Sequence, residues 1–124
     1  MMFFVGRTFF AVGFLAVFFS VQGCDFLPDP QRRKVAILLN SSEMGESAFS
    51  PNPVVVHLGG RVVWRNDDVL EHAIKGDAKQ GPCAFESGPI GYGERYSQSF
   101  FERVTCNYYC ALHGRTMRGR IIVE

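Results

Sequence analysis

From Lys34 onward the chain is a succession of short runs rich in Val, Ile, Phe and Tyr, cut by clusters of Gly, Pro, Asn and Asp. Runs this short suit strands, and the regular turn signals between them point to an all-β sandwich or barrel. Candidate strands are Val35–Leu39, Val54–Leu58, Arg61–Trp64, His72–Ile74, Arg95–Phe100, Thr105–Cys110 and Gly119–Val123. Successive strand side chains point to opposite faces, so Cys106, Tyr108 and Cys110 share one face, as do Ile121 and Val123. Leu58-Gly59-Gly60-Arg61 reads as a tight hairpin turn. Ala84 to Gly91 has room for one turn of helix, and no longer helical pattern follows residue 23. A domain of about 100 residues with this pattern fits a single two-sheet sandwich.

The N-terminal part has a different character. Residues 1–23 read as a secretory signal, with the lone charge Arg7 followed by an almost unbroken apolar run from Phe9 to Val21. That run ends in Val21-Gln22-Gly23-Cys24, which resembles the bacterial lipobox, whose cysteine is lipidated and becomes the mature N-terminus. The alternative is an uncleaved anchor, but a membrane span needs about 20 apolar residues and this run is shorter. Both readings tether the domain outside the cytoplasm, on the periplasmic side of the cytoplasmic membrane. Asp25, just after Cys24, resembles the signal that keeps some lipoproteins in an inner membrane. Residues 24–33 carry two prolines and polar side chains and read as a tether reaching ~30 Å when extended. The domain proper is then 34–124. Losing residues 1–23 takes one of the 13 basic side chains, Arg7, and none of the 12 acidic ones, which leaves the mature charges balanced. Nothing in that balance points to nucleic acid.

Chemistry concentrates in the last segment, where Cys110, His113 and Met117 fall between two apolar runs. A soft thiolate, a neutral imidazole and a weak thioether together suit one copper ion cycling between Cu(I) and Cu(II). A second imidazole must come from upstream, and the chain has only His57, His72 and His113. His57 sits inside an apolar run beside the Gly59-Gly60 turn, whereas His72 follows a strand end and a polar turn. The expected ligand set is therefore His72, Cys110, His113 and Met117.

Two patterns carry a family resemblance: Trp64-x-Asn66-x-Asp68-x-x-x-His72-x-Ile74, and Tyr108-Tyr109-Cys110-x-x-His113-x-x-x-Met117-x-Gly119-x-Ile121-x-Val123. Together with Phe49-x-Pro-x-Pro-Val-x-Val, they resemble the plastocyanin and amicyanin branch of the cupredoxins from about Val35 to Glu124. The resemblance implies a Greek-key sandwich with copper at one end, two imidazoles and the thiolate in a plane, and Met117 as a long axial contact. It also implies that electrons pass at the ring edge of His113, within a surface patch bordered by Gly114 and Arg115. Redox partners such as a cytochrome, a reductase or an oxidase would dock there. Arg115, Arg118 and Arg120 are either a solvated face or a basic rim that steers an acidic partner. In two respects the chain departs from its relatives. Ala73 follows His72 where many of them have an asparagine, and three residues separate His113 from Met117, between the shorter and longer loops of the family.

Cys106 precedes Cys110 by four residues, which also resembles a binuclear purple copper centre. Those centres have three residues between the second cysteine and the histidine and two before the methionine, and here the numbers are reversed. If residues 106–110 form one strand, the two cysteines are about 13 Å apart and cannot share metal. In an oxidising compartment Cys83 and Cys106 can instead form a disulfide, the alternative being two buried thiols. With Cys24 lipidated and Cys110 metallated, no cysteine is then left over. Multicopper catalysis would need additional histidines and only His57 is spare, so an electron carrier is expected and not an enzyme. A copper-delivery protein would favour exposed Met and His clusters, and after the signal only Met44 and Met117 remain.

Overall fold

In the computed structural model, which describes residues 31–124, the period-two alternation closes into two facing layers. Nine strands follow in chain order: β1 (Arg32–Ile37), β2 (Phe49–Ser50), β3 (Val54–Val56), β4 (Arg61–Asn66), β5 (His72–Gly76), β6 (Glu86–Ile90), β7 (Arg95–Ser99), β8 (Thr105–Cys110) and β9 (Gly114–Val123). One sheet has the order β2-β1-β4-β7 and the other β3-β9-β8-β5-β6. The pairs β1–β4 and β3–β9 are parallel and the rest antiparallel. Two 3-10 turns, Ser41–Glu43 and Gly45–Ala48, fill the link between β1 and β2. The expected signal (1–23), Cys24 and most of the tether lie outside the described residues; β1 itself begins at Arg32, two residues before the expected domain start. Among the described residues no helix is long and apolar enough to cross a membrane.

The core fills the space between the inward faces. Trp64 of β4 is wholly buried, stacks on Tyr96 with ring centroids 5.6 Å apart, and meets the edge of Tyr108 at 5.4 Å. Phe49 packs edge-on against Tyr108 at 4.9 Å, and Phe85 against Phe100 at 5.7 Å. Offset and edge-to-face pairs of this kind contribute about 0.5–1.5 kcal/mol beyond area burial. Val35, Ile37, Ile74 and Ile121 are among the aliphatic side chains packed around them.

Several sequence expectations change. Leu58-Gly59-Gly60-Arg61 is a tight turn, with the Gly60 amide donating to the His57 carbonyl at 2.8 Å, but it joins β3 and β4, which belong to opposite sheets, so it closes no hairpin. Gly60 is needed there because a Cβ would lie 2.7 Å from the Gln31 carbonyl oxygen. Ala84 to Gly91 holds strand β6 and not a helical turn; its Gly88 and Pro89 are tolerated because β6 is an edge strand. The last strand starts at Gly114, so Met117 lies within β9 and not in a loop.

Cys83 and Cys106 form a disulfide, with Cα atoms 5.3 Å apart and a sequence separation of 23. It pins the link between β5 and β6 to β8. Closing a loop of that length stabilises the fold by about 3 kcal/mol in the chain-entropy description. Chemical denaturation of the Cys83→Ala/Cys106→Ala double variant is expected to show a loss of that order. Gly119 tests the packing independently: a Cβ there would fall 2.3 Å from the Tyr108 ring. Gly119→Ala should therefore cost about 1–3 kcal/mol through overpacking, and an unchanged denaturation midpoint would contradict the close β8–β9 approach.

Candidate metal centre

Strand register brings the expected residues to one end of the sandwich. His72 opens β5, Cys110 closes β8, and Ile74 pairs with Cys110 across the β5–β8 ladder. His113 stands in the three-residue turn between β8 and β9, which Gly114 ends in a left-handed conformation (φ +87°) that only glycine adopts without strain. Tyr109 pairs with Arg118 while its neighbour Cys110 pairs with Gly114, so Arg115, Thr116 and Met117 form a bulge in β9. Met117 is fully buried in that bulge, immediately before the partner of Tyr109.

Three donor atoms converge. His72 Nδ1 and His113 Nδ1 are 3.1 Å apart, and the Cys110 sulfur lies 3.7 Å from the first and 3.4 Å from the second. A single ion with bonds of about 2.0–2.3 Å to two imidazole nitrogens and a thiolate separates its ligands by similar distances. The donor set therefore fits a metal, and its soft sulfur with two imidazoles fits copper. His72 and Cys110 are buried and His113 is half-buried, so one edge of the site approaches solvent. Among the described residues Cys110 is the one free cysteine. His57 is exposed in the turn at the opposite end of the sandwich.

The far side of His72 is held as firmly as the near side. Its Nε2 lies 2.8 Å from Asp68 Oδ2 and 3.3 Å from Ser41 Oγ. With Nδ1 turned to the metal, Nε2 carries the proton and donates it to the carboxylate, which fixes both tautomer and ring plane. Asp68 in turn accepts from the Asn40 and Val69 amides at 3.1 and 2.8 Å. Burial pushes the Asp68 carboxyl up, but the hydrogen bonds from His72 and these amides outweigh it and leave it below the usual carboxylate range. For His72 burial dominates and holds the imidazole below its ordinary value, with the contact to Asp68 opposing it and nearby His113 adding to it. Asn66 closes the loop behind: its Oδ1 accepts from the Asp68 amide at 2.9 Å, while its Nδ2 donates to the Leu70 and Ile90 carbonyls at 2.7 and 2.9 Å.

Ala73 offers no side-chain tie, and its backbone serves instead. Its amide points at the Cys110 sulfur at 3.5 Å and its carbonyl accepts from Ala111 at 2.8 Å. The three arginines line a flank cleft of about 820 Å³ that His113 does not border. There Arg115 pairs with Asp77 at 2.7 Å and lies over the Tyr109 ring, Arg118 pairs with Glu46 at 2.9 Å, and Arg120 reaches Asn107 at 3.3 Å. This is a largely neutralised face. The connections at the His113 end carry exposed apolar side chains, Leu39, Met44, Val69, Leu70, Tyr92 and Leu112, interspersed with exposed Asn40, Glu43, Glu71 and Glu94.

A Greek-key sandwich with two histidines and a cysteine gathered at one end defines a cupredoxin. The chain belongs to the plastocyanin/azurin family of copper-binding proteins, which residues 36–124 match. It is 29% identical over 100 residues to plastocyanin B'/B'' of Nicotiana tabacum, covering 73% of this chain and 100% of that protein. With plastocyanin of Lactuca sativa it shares 29% over 98 residues, 71% of this chain and 98% of the relative. Among solved structures, a novel purple cupredoxin from Nitrosopumilus maritimus superposes with a TM-score of 0.65 at 26% identity, over 73% of this chain and 98% of that one. A single-residue mutant of amicyanin, in its reduced Cu(I) form at pH 4, gives 0.61 at 27% identity, over 73% and 80%. Copper is thus the cofactor, and the protein is an electron-transfer cupredoxin and not an enzyme.

Asp68 supplies a test of the outer contacts. Metal affinity typically falls 10- to 100-fold, as an order of magnitude, when the partner of a ligating histidine is removed. Asp68→Asn should lower Cu(II) affinity by about that factor in a competition titration against a chromophoric chelator. Wild-type affinity in this variant would show that the carboxylate does not orient His72.

Proposed function

We propose that this protein is a membrane-tethered, extracytoplasmic carrier of single electrons, with one copper held by His72, Cys110 and His113 and a weak axial contact from Met117. The observation that carries the reading is the convergence of two imidazole nitrogens, 3.1 Å from each other, on the free Cys110 sulfur at 3.4 and 3.7 Å. Bound there, copper supplies a one-electron Cu(I)/Cu(II) couple. The protein's part is to hold donors so that neither oxidation state requires them to move. His72 is locked by Asp68 and Ser41, Cys110 by the Ala73 amide and the β5–β8 ladder, and Met117 by burial in β9. Of the four ligands His113 alone approaches solvent, and its ring edge, at the end of the sandwich that also exposes Leu39, Val69, Tyr92 and Leu112, is the exchange surface for a cytochrome, a reductase or an oxidase.

The binuclear alternative needs the sulfurs of both Cys106 and Cys110. Cys106 is engaged with Cys83, and β8 runs extended from Thr105 to Cys110. Anchoring rests on the lipobox-like Val21-Gln22-Gly23-Cys24, with Cys24 as the lipidated residue.

Purified protein loaded with Cu(II) is expected to bind one copper per chain and to be intensely blue from thiolate-to-copper charge transfer. One structural relative is described as purple, so stoichiometry measured with the spectrum is the deciding pair. Cys110→Ser should abolish the visible band and Cys106→Ser should keep it. Two coppers per chain, or colour surviving in Cys110→Ser, would overturn the assignment.

A further inference from the structure

The register that gathers the copper ligands also fixes where the N-terminal segment leaves the domain. Arg32 pairs with Arg61 at the start of β4, and the Gln31 carbonyl accepts from the Arg61 amide at 2.7 Å. This is the pole opposite His113, built from the 57–60 turn, the 100–104 connection and Glu124. Its loops are tied together, since the Gly59 amide donates to Phe100, the Phe100 amide to Gly60, and the Leu58 amide to Glu124. Yet it presents two large apolar side chains to the outside, Phe101 at 75% exposure and Leu58 at 44%. Arg33 and Arg103 are exposed nearby, as are Glu102 and Glu124.

We propose that this pole rests on the bilayer, with Phe101 and Leu58 seated in the headgroup region and the copper site held outward. The inference depends on the proposed anchoring through residues 1–24, and the chain itself says what covers the patch. Between Cys24 and Gln31 there are seven Cα steps, which reach at most about 25 Å. Strand β9 alone spans about 30 Å at ~3.3 Å per residue, from beside His113 to this pole. An upright domain tethered at Gln31 therefore meets the membrane with Phe101 and Leu58, and the tether is too short to invert it. An aromatic ring and a leucine beside arginine have the amphipathic character of an interfacial contact: apolar groups enter the acyl boundary and guanidinium groups stay among the phosphates. Two such side chains bind membranes weakly by themselves. Next to a covalent anchor they act at high effective concentration and need only select an orientation. The His113 end of the sandwich then faces the aqueous phase, open to a soluble redox partner.

The test uses the full chain, expressed with its own leader and purified from membranes. Its intact mass shows whether Cys24 carries lipid, and hydrogen–deuterium exchange is then followed on vesicles of phosphatidylethanolamine and phosphatidylglycerol. Expected is several-fold slower exchange in peptides covering 57–60 and 100–104 than in the vesicle-free protein, with 67–71, 91–93 and 111–113 unchanged. The Leu58→Ser/Phe101→Ser variant should lose that protection while keeping its visible copper spectrum. Lipid on Cys24 without protection at this pole, or with protection at the His113 end, would leave the anchor standing and overturn the orientation. Protection on added vesicles in a chain lacking lipid would sustain the pole as a membrane surface and refute the anchor. Absence of both lipid and protection would refute both. Protection that rises with protein concentration in the absence of vesicles would mean that a second copy covers the patch, which also overturns the proposal.

Discussion

The two-fold alternation of side chains along β8 is the constraint on which the molecule depends. Cys106, Tyr108 and Cys110 all turn into the space between the sheets, while Thr105, Asn107 and Tyr109 turn outward. One strand thereby contributes a disulfide half, the aromatic centre that meets both Phe49 and Trp64, and the metal thiolate. A slip of one residue in its pairing would expel all three together. The ladders to β5 and β9 prevent that slip, and Gly119 allows β9 to approach closely enough for Tyr108 to lie across it.

What β8 does for the sulfur, the turn before β5 does for the imidazole. His72, Asp68, Asn66 and Ser41 are all buried, and polar groups so placed are costly unless they satisfy one another. Here the carboxylate collects the imidazole and two backbone amides, and Asn66 bridges the turn to the carbonyl of Ile90 at the end of β6. The network is rigid because it is complete. A site in which His72, Cys110 and Met117 are fixed by protein contacts has little left to rearrange when charge changes, which is the physical requirement of a one-electron carrier.

Much of this was legible in the residues. Alternation identified β8 at its true bounds, and the scarcity of histidine singled out His72 as the partner of Cys110 and His113. The misreadings share a cause: local pattern reports conformation but not which sheet a strand joins. Leu58-Gly59-Gly60-Arg61 is a turn as its glycines demand, yet β3 joins β9 and β4 joins β1. Strand β6 was hidden by Gly88 and Pro89, tolerable only at an edge, and β2 by its length of two residues. Asp68 was visible as part of a motif but not as the support of His72. Ser41, 31 residues upstream, carries no local signal, because a 3-10 turn delivers it from the opposite sheet's connection.

The placement of the cysteines has a consequence for how the protein matures. The described residues hold three cysteines, Cys83, Cys106 and Cys110, and an oxidant acting on the unfolded chain could join any two of them. Only one pairing leaves the copper site intact. Once β8 is extended, Cys106 and Cys110 are about 13 Å apart, well beyond the 4.4–6.8 Å between Cα atoms that a disulfide tolerates. Cys83 is held 5.3 Å from Cys106, at the far end of the strand from Cys110. Strand pairing thus sorts the sulfurs with no help from a metal, and leaves unpaired the one thiol that faces the two imidazoles.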